Sequence, residues 1–156
     1  MPTVPGGINP QGTNLNQTDA GCAKASFSCA ASVAAAAEQA VPPFFGAAST
    51  LTSFPGVQCA FPNVVRQLNV SLVGDVLNVG GQTIGVKLYR ALAATPDVKV
   101  AVPDAEISGI ATTANAKSAT VAFPDLALAP GDVLYATITP SALLTAVVTN
   151  VAIGVG

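Results

Sequence analysis

The sequence predicts an all-β fold: an antiparallel jelly-roll sandwich with an extended N-terminal arm. Two observations support this prediction. The 156 residues are 51% hydrophobic but only 5% aromatic and 9% charged, so small side chains carry most of the apolar atoms. Small and β-branched residues suit closely stacked, pleated sheets. From residue 63 onward, apolar and polar residues alternate in short runs that end at Gly, Pro or Asp. That spacing is typical of a sandwich or jelly roll.

Residues 1–21 are predicted to form the arm, because they are rich in Pro, Gly, Asn, Gln and Thr and contain few apolar anchors. Residues 22–156 then form the jelly-roll domain. The arm has two interpretations: a disordered terminus, or a connector that becomes ordered when it docks on a neighbouring subunit. The first residues contain no basic segment followed by an apolar run, so no secretory signal peptide is visible.

Residues 30–41 are the one segment where a helix competes with a strand. Its alanines favour a short helix, and Pro42 and Pro43 would end that helix. Short Ala-rich helices are marginal in water unless they pack, and this segment offers only Val33 and Val41 as larger apolar residues. The sequence therefore leaves a short helix and a strand or loop open at this point.

The predicted strands share an alternation of apolar and polar side chains or a β-branched composition, and they cover residues 68–72, 84–89, 118–123, 133–139 and 143–155. The turn Pro130-Gly131-Asp132 precedes the fourth of these runs. The last run is apolar on both faces for most of its length. A strand of that kind needs cover on its outer side, and a partner subunit would supply it.

The charge pattern excludes nucleic acid as a partner. The formal net charge is −2. The six basic residues are scattered along the chain: Lys24, Arg66, Lys87, Arg90, Lys99 and Lys117. No basic stripe therefore exists to neutralise phosphates. With so few charges, neighbouring copies repel one another weakly, and self-association is expected.

Residues 133–156 raise the question of a membrane span, because they contain no charge over about the length of a bilayer core. Pro140, Asn150, several threonines and the lack of a flanking Lys or Arg oppose a transmembrane helix. The alternation of Thr with Val favours a strand instead. We expect no membrane span.

The sequence offers no candidate catalytic residues. The chain has no His, so the commonest general base and the commonest metal ligand are both absent. Four acidic residues near turns are candidates for a calcium site: Asp97, Asp104, Glu106 and Asp132. The alternative, which we favour, is that they are ordinary solvated turn carboxylates. We therefore expect no catalytic residue, no metal and no cofactor.

Cys22, Cys29 and Cys59 are the candidate cross-linking residues. Cys22 and Cys29 would lie about 23 Å apart along a strand and about 10 Å apart along a helix, whereas a disulfide needs Cα atoms within about 7 Å. They cannot pair without a turn between them, and an odd count leaves at least one thiol without an intramolecular partner. The alternatives are buried, reduced cysteines, or cross-links between subunits or from the arm to the body.

Several motifs occur in a shared order: Val57-Gln-Cys-Ala-Phe-Pro-Asn, Leu72-Val-Gly, Thr83-Ile-Gly-Val-Lys-Leu-Tyr-Arg, Leu126-Ala-Leu-Ala-Pro-Gly-Asp-Val-Leu and Val148-Thr-Asn-Val-Ala-Ile-Gly-Val. A weaker echo begins at Val41-Pro-Pro-Phe-Phe-Gly. In this order, residues 57–156 resemble the C-terminal domain of the collagen-like exosporium glycoproteins of spore-forming bacteria. The motifs are strand and turn patterns, and their order carries the resemblance.

The resemblance implies a jelly roll similar to tumour necrosis factor and complement C1q heads, usually trimeric, located on the spore surface and made without a signal peptide. The collagen-like stalk and the anchoring leader of that family are missing. A lone jelly roll with an arm and cysteines is similar in architecture to subunits of spore appendages. The expected function is therefore a structural, self-assembling subunit of a spore-surface fibre, whose partners are copies of itself in a trimer or filament. The alternative is a trimeric head that binds a surface glycan or a host receptor.

Overall fold

The computed structural model describes residues 25–31, 37–43, 46–47, 55–74, 83–111, 115–141 and 149–156. This part of the chain is all β and contains no helix, which confirms the predicted all-β class. Its ten strands are β1 (Ala25–Ala31), β2 (Gln39–Val41), β3 (Gly46–Ala47), β4 (Val57–Gln58), β5 (Asn63–Gly74), β6 (Thr83–Ala91), β7 (Val100–Ala111), β8 (Asn115–Leu128), β9 (Val133–Pro140) and β10 (Thr149–Val155). The predicted arm, residues 1–21, lies outside the described residues.

The strands form two sheets. The first sheet has the order β3-β1-β10-β5-β8, and the second has the order β2-β9-β6-β7, with β4 also paired to β9. All of these pairings are antiparallel except the two-residue pairing of β1 with β3. Most neighbours in a sheet are far apart in sequence, so the sheets form only when distant segments meet.

The core lies between the two sheets and is built from alternate residues of each strand. In β10, Val151, Ile153 and Val155 are buried while Ala152 is exposed. The largest side chains that are fully buried belong to one phenylalanine and several leucines and isoleucines: Phe27, Leu68, Leu72, Ile84, Leu88, Leu134, Ile138 and Ile153. Removing an apolar side chain of this size from water stabilises the fold by about 1.5–3 kcal/mol. The period-two pattern of the sequence therefore decides which side of each strand faces the core.

The final predicted run, residues 143–155, contains strand β10 (Thr149–Val155) in its described part. This strand has a buried row and an outer row. The outer row contains Ala152 and Gly154, which are apolar but very small. Residues 142–148 lie outside the described part of the chain. The outer side of β10 is thus a shallow surface of small residues.

Residues 30–41 begin and end as strand. Ala30 and Ala31 belong to β1, Gln39–Val41 form β2, and residues 32–36 lie outside the described residues. Ala40 and Val41 are fully buried. β2 pairs with β9, so tertiary hydrogen bonds and burial outweigh the helix propensity of alanine at this end of the segment.

Strand β7 was not predicted because bulges interrupt its alternation. Its pairing with β6 shifts register twice. Asp104 and Gly109 adopt positive φ angles of 59° and 72°, which place them in the left-handed region. Each bulge moves the following side chains to the opposite face. The sequence pattern across 100–111 therefore matches no simple period.

In the described part of the chain, we find no helix that is long and apolar enough to cross a membrane.

Candidate assembly interface

The outer face of the first sheet is built from small, uncharged side chains. We call it the neutral face, and its residues are Ser26, Ser28, Asn69, Ser71, Ser118, Thr120, Ala152 and Gly154. They lie in two rows that cross β1, β10, β5 and β8. One row is Ser28, Ala152, Ser71 and Ser118, and the other is Ser26, Gly154, Asn69 and Thr120. Neither row contains a charged residue.

The alternation of each strand creates this face. Phe27 and Cys29 point into the core. Ser26, which precedes Phe27, and Ser28, which lies between the two, therefore point outward. Thr120 Oγ1 donates a 2.9 Å hydrogen bond to Asn69 Oδ1, which joins β8 to β5 across the surface. Ala152 and Gly154 of β10 are small, and a shallow trough of about 410 Å³ lies along these residues between β1 and β5.

These properties favour contact with an identical surface. Small side chains lose little rotamer entropy when they are buried. Removing a charged group from water costs several kcal/mol, and because the two rows contain no charged residue, contact through them avoids this cost. When two identical faces meet about a two-fold axis, every group near the axis meets its own copy, so a charged residue there would be repelled. The neutral face avoids this repulsion.

Among the described side chains of the first sheet, the charged pair of Arg66 and Asp125 lies at the margin. The Arg66–Asp125 ion pair, with Nε and Oδ1 3.2 Å apart, is well exposed to solvent. It lies at the bulge where the pairing of β5 with β8 shifts register between Val65 and Gln67. An exposed pair of this kind contributes about 0–1 kcal/mol to stability. It lies next to the two rows and not within them.

The outer face of the second sheet is different, because it carries charges and both tyrosines. Lys87 Nζ lies 3.0 Å from Glu106 Oε2, and the Tyr89 hydroxyl donates a 2.8 Å hydrogen bond to Glu38. Burial, followed by the hydrogen bond to Glu38, raises the pKa of Tyr89 to about 12. Lys99 lies 5.0 Å from the centre of the Tyr135 ring. The two outer faces of the sandwich therefore differ in polarity.

The structure places two of the three candidate cysteines, and both thiols are free. Cys29 has 0% of its surface exposed and belongs to the core, whereas Cys59 is partly exposed. Burial raises the pKa of Cys29 to about 12. Burial also raises the pKa of Cys59, with a further upward effect of Asp132 and an opposing effect of Arg90. Cys22 lies outside the described residues. A neighbouring subunit could reach Cys29 only if β1 left the sheet, so cross-linking remains an expectation for Cys22 and Cys59.

This difference in burial predicts different reactivity toward a thiol reagent. With Cys22 replaced by Ser, we expect Cys29 in the Cys59→Ser variant to react on the order of a hundredfold more slowly than Cys59 in the Cys29→Ser variant, because a thiol reacts as the exposed thiolate. Mass spectrometry of timed labelling at mildly alkaline pH measures both rates. In denaturant the two rates should become equal. Equal rates in the native protein would contradict the burial of Cys29.

The acidic residues that the sequence singled out do not converge. Asp97 lies in the β6–β7 loop, Asp104 forms a bulge, and Glu106 pairs with Lys87. Among the described residues, no group of three or more Cys, Asp or Glu side chains is placed to hold a metal ion.

Asp132 corrects the prediction of solvated turn carboxylates, because only 2% of its surface is exposed. Its Oδ1 accepts a hydrogen bond from Ala93 N–H at 3.0 Å, and its Oδ2 accepts from Ala129 N–H at 3.1 Å and from Arg90 at 3.0 Å. Its backbone carbonyl accepts from Cys59 N–H at 2.8 Å. Asp132 thus ties the segments before β5, after β6 and before β9 together at one end of the sandwich. The position of Asp132 directly before a buried strand was the available sequence signal.

No protein-family model matches the chain, and no curated protein matches it.

Proposed function

We propose that the chain is a structural, self-assembling subunit of a bacterial spore-surface structure, a fibre or appendage of jelly rolls linked through their N-terminal arms. The observation that carries the assembly is the neutral face, through which copies meet. The spore surface is supported by the resemblance of residues 57–156 to the exosporium glycoproteins. The partner of the subunit is a second copy of itself.

The strand pairing supports the jelly roll. When the short β3 and β4 are set aside, eight strands remain. In chain order, the first pairs with the eighth (β1 with β10), the second with the seventh (β2 with β9), the third with the sixth (β5 with β8) and the fourth with the fifth (β6 with β7). These are the pairs of one long antiparallel hairpin. Wrapping such a hairpin brings the eighth strand beside the third and the seventh beside the fourth, as in the β10–β5 and β9–β6 pairs. The result is two four-stranded sheets, the architecture of a jelly roll.

The strands at one side of the sandwich support contact through faces over contact through edges. β7 and β8 are the edge strands there. β7 contains Pro103 and the bulge at Asp104, and β8 contains Pro124 beside a shift of register. A proline lacks the N–H that a new strand would need, and bulges twist an edge away from a partner. These two edges therefore oppose strand addition, which favours contact through a sheet face.

The proposal is tested by placing one charge at the centre of the neutral face. We expect Ala152→Arg to convert assemblies of the protein into monomers, because a guanidinium buried against its own copy would cost several kcal/mol. Ala101→Arg is the matched control, because Ala101 is an exposed alanine of β7 in the second sheet and should leave assembly unchanged. Sedimentation velocity and negative-stain electron microscopy measure the outcome.

Deletion of residues 2–21 tests the link through the arm. The fibre proposal expects shorter or fewer fibres after the deletion, with the contact through the neutral face retained. A compact trimer that is indifferent to the deletion would replace the fibre with a trimeric head. A parent protein that stays monomeric at all concentrations, or an Ala152→Arg variant that assembles as well as Ala101→Arg, would contradict assembly through the neutral face.

A further inference from the structure

A groove of about 440 Å³ opens on the outer face of the second sheet, on the side of the sandwich opposite the neutral face. Its volume falls within the range of about 300–1,000 Å³ that is typical of small-molecule sites. We call it the Gly85 groove, and its main lining residues are Thr83, Gly85, Lys87, Glu106, Ser108 and Thr139. Neither the assembly nor any chemistry described above uses it.

The groove exists because β6 lacks a side chain at its floor. A Cβ atom added to Gly85 would approach no atom more closely than 3.7 Å, the distance to the carbonyl oxygens of Ile107 and Thr139. Thr139 lies directly opposite Gly85 on β9. On the β7 side, the bulge at Gly109, whose φ is 72°, shifts the register between Ile84 and Val86. A missing side chain between two longer ones thus leaves space above the sheet.

The polar groups of the groove add up to zero charge. Lys87 Nζ and Glu106 Oε2 are 3.0 Å apart, and their side chains are 37% and 51% exposed. Both therefore keep free hydrogen-bonding capacity toward solvent: the ammonium as a donor and the carboxylate as an acceptor. The hydroxyl groups of Thr83, Ser108 and Thr139 also line the groove, and each can donate and accept a hydrogen bond. Because these two charges offset each other, the groove offers no net electrostatic attraction to an anion or to a cation.

We propose that the Gly85 groove binds a neutral saccharide unit. Neighbouring hydroxyl groups of a sugar ring donate to Glu106 and accept from Lys87, and the ring occupies the space above Gly85. Because the groove and the neutral face lie on opposite sides of the sandwich, a subunit in an assembly still presents the groove to solvent. The groove is argued from its own geometry, so it does not depend on the assembly.

Saturation-transfer-difference NMR with methyl glycosides of glucose, galactose, mannose and N-acetylglucosamine tests the proposal, because the method observes the ligand and works with large assemblies. We expect transfer from the parent protein to at least one of these sugars at millimolar concentration. Gly85→Val fills the floor of the groove and should remove the signal. Ala101→Val adds methyl groups to the same sheet outside the groove and should keep the signal. Thermal melting of both variants checks that they fold.

A second variant tests the charge argument. Glu106→Gln keeps the shape of the side chain but removes the charged acceptor, and we expect neutral sugars to bind about tenfold more weakly. For a negatively charged sugar such as sialic acid, the same variant should bind more tightly than the parent. The proposal is overturned if the parent transfers saturation to no neutral sugar, if Gly85→Val binds as well as the parent, or if the parent prefers charged sugars.

The two proposals can fail separately. A monomeric protein that binds a neutral sugar would reject assembly through the neutral face and retain the groove. An assembly that binds no sugar would do the opposite.

Discussion

Replacing Asp132 with Ala is expected to lower the free energy of unfolding by about 3 kcal/mol, the lower end of the range for breaking a buried ion pair. The lower end applies because the Arg90 side chain is 27% exposed and water can partly solvate its charge. Part of this loss arises because the N–H groups of Ala93 and Ala129, whose hydrogen bonds to Asp132 are part-buried, lose their acceptor. Arg90 itself is already incompletely hydrogen-bonded, because its buried Nε has no hydrogen-bond partner, so losing Asp132 removes a partner that it does not replace.

Equilibrium denaturation in urea measures this effect, at protein concentrations below those that give assemblies. Asp125→Ala is the matched control, because Asp125 also forms an ion pair with an arginine but does so in solvent. We expect it to change the free energy of unfolding by less than about 1 kcal/mol. If both variants lose the same amount, the hydrogen bonds of Asp132 do not hold the three segments together.

The pH dependence of stability follows from the same carboxylate. Burial alone would raise the pKa of Asp132, but the N–H groups of Ala93 and Ala129 and the guanidinium of Arg90 outweigh burial and lower the pKa from its ordinary value of 3.8. Because the pKa is lower in the folded state, the contribution of Asp132 is fully present above the unfolded-state value and is lost as the pH falls through the folded-state value.

Unfolding curves of the parent and of Asp132→Asn at a series of pH values measure this contribution. We expect the difference in stability between the two proteins to be constant near neutral pH and to shrink below about pH 4. The comparison cancels the contributions of the other carboxylates, because both proteins contain them. A difference that stays constant into strong acid would show that the charge of Asp132 does not stabilise the fold.

Replacing Phe27 with Ala is expected to have the largest effect, a loss of about 3–5 kcal/mol. Phe27 is 1% exposed and is paired with Ile153 at the middle of the β1–β10 pairing. Truncation leaves a cavity in the core, because the core residues in the same row, Ile153 of β10 and Val70 of β5, belong to other strands and relax only partly. The loss is large compared with the 5–15 kcal/mol of a typical domain, so the variant is expected to melt at a much lower temperature.

Ser28→Ala is the control for Phe27→Ala, because Ser28 is the next residue of β1 and points to the outer face. Its backbone N–H donates to the Pro42 carbonyl at 3.1 Å, and the substitution does not remove that hydrogen bond. We expect a change within about 0.5 kcal/mol. Thermal and urea unfolding measure both variants. A larger loss for Ser28→Ala than for Phe27→Ala would mean that β1 lies one residue out of register.

The sequence alone determined the fold class and the inward faces of most strands. Alternation in 68–72, 84–89 and 118–123 predicted strands that are present within β5, β6 and β8, and the turn at Pro130-Gly131-Asp132 predicted the start of β9. These features are local, because a period of two and the chemistry of a turn are properties of a few consecutive residues. The small side chains of the neutral face could also be read from the sequence, but not their position side by side.

Only the tertiary structure decided which segments meet. β2 forms because β9 pairs with it, the bulges of β7 conceal its alternation, and Asp132 is buried because Ala93, 39 residues away, approaches it. The neutral face requires the registers that place β1 and β10, from the two ends of the domain, beside β5 and β8. The Gly85 groove likewise depends on three strands lying side by side. Hydrogen bonds and packing between distant residues determine these features, and no local pattern encodes them.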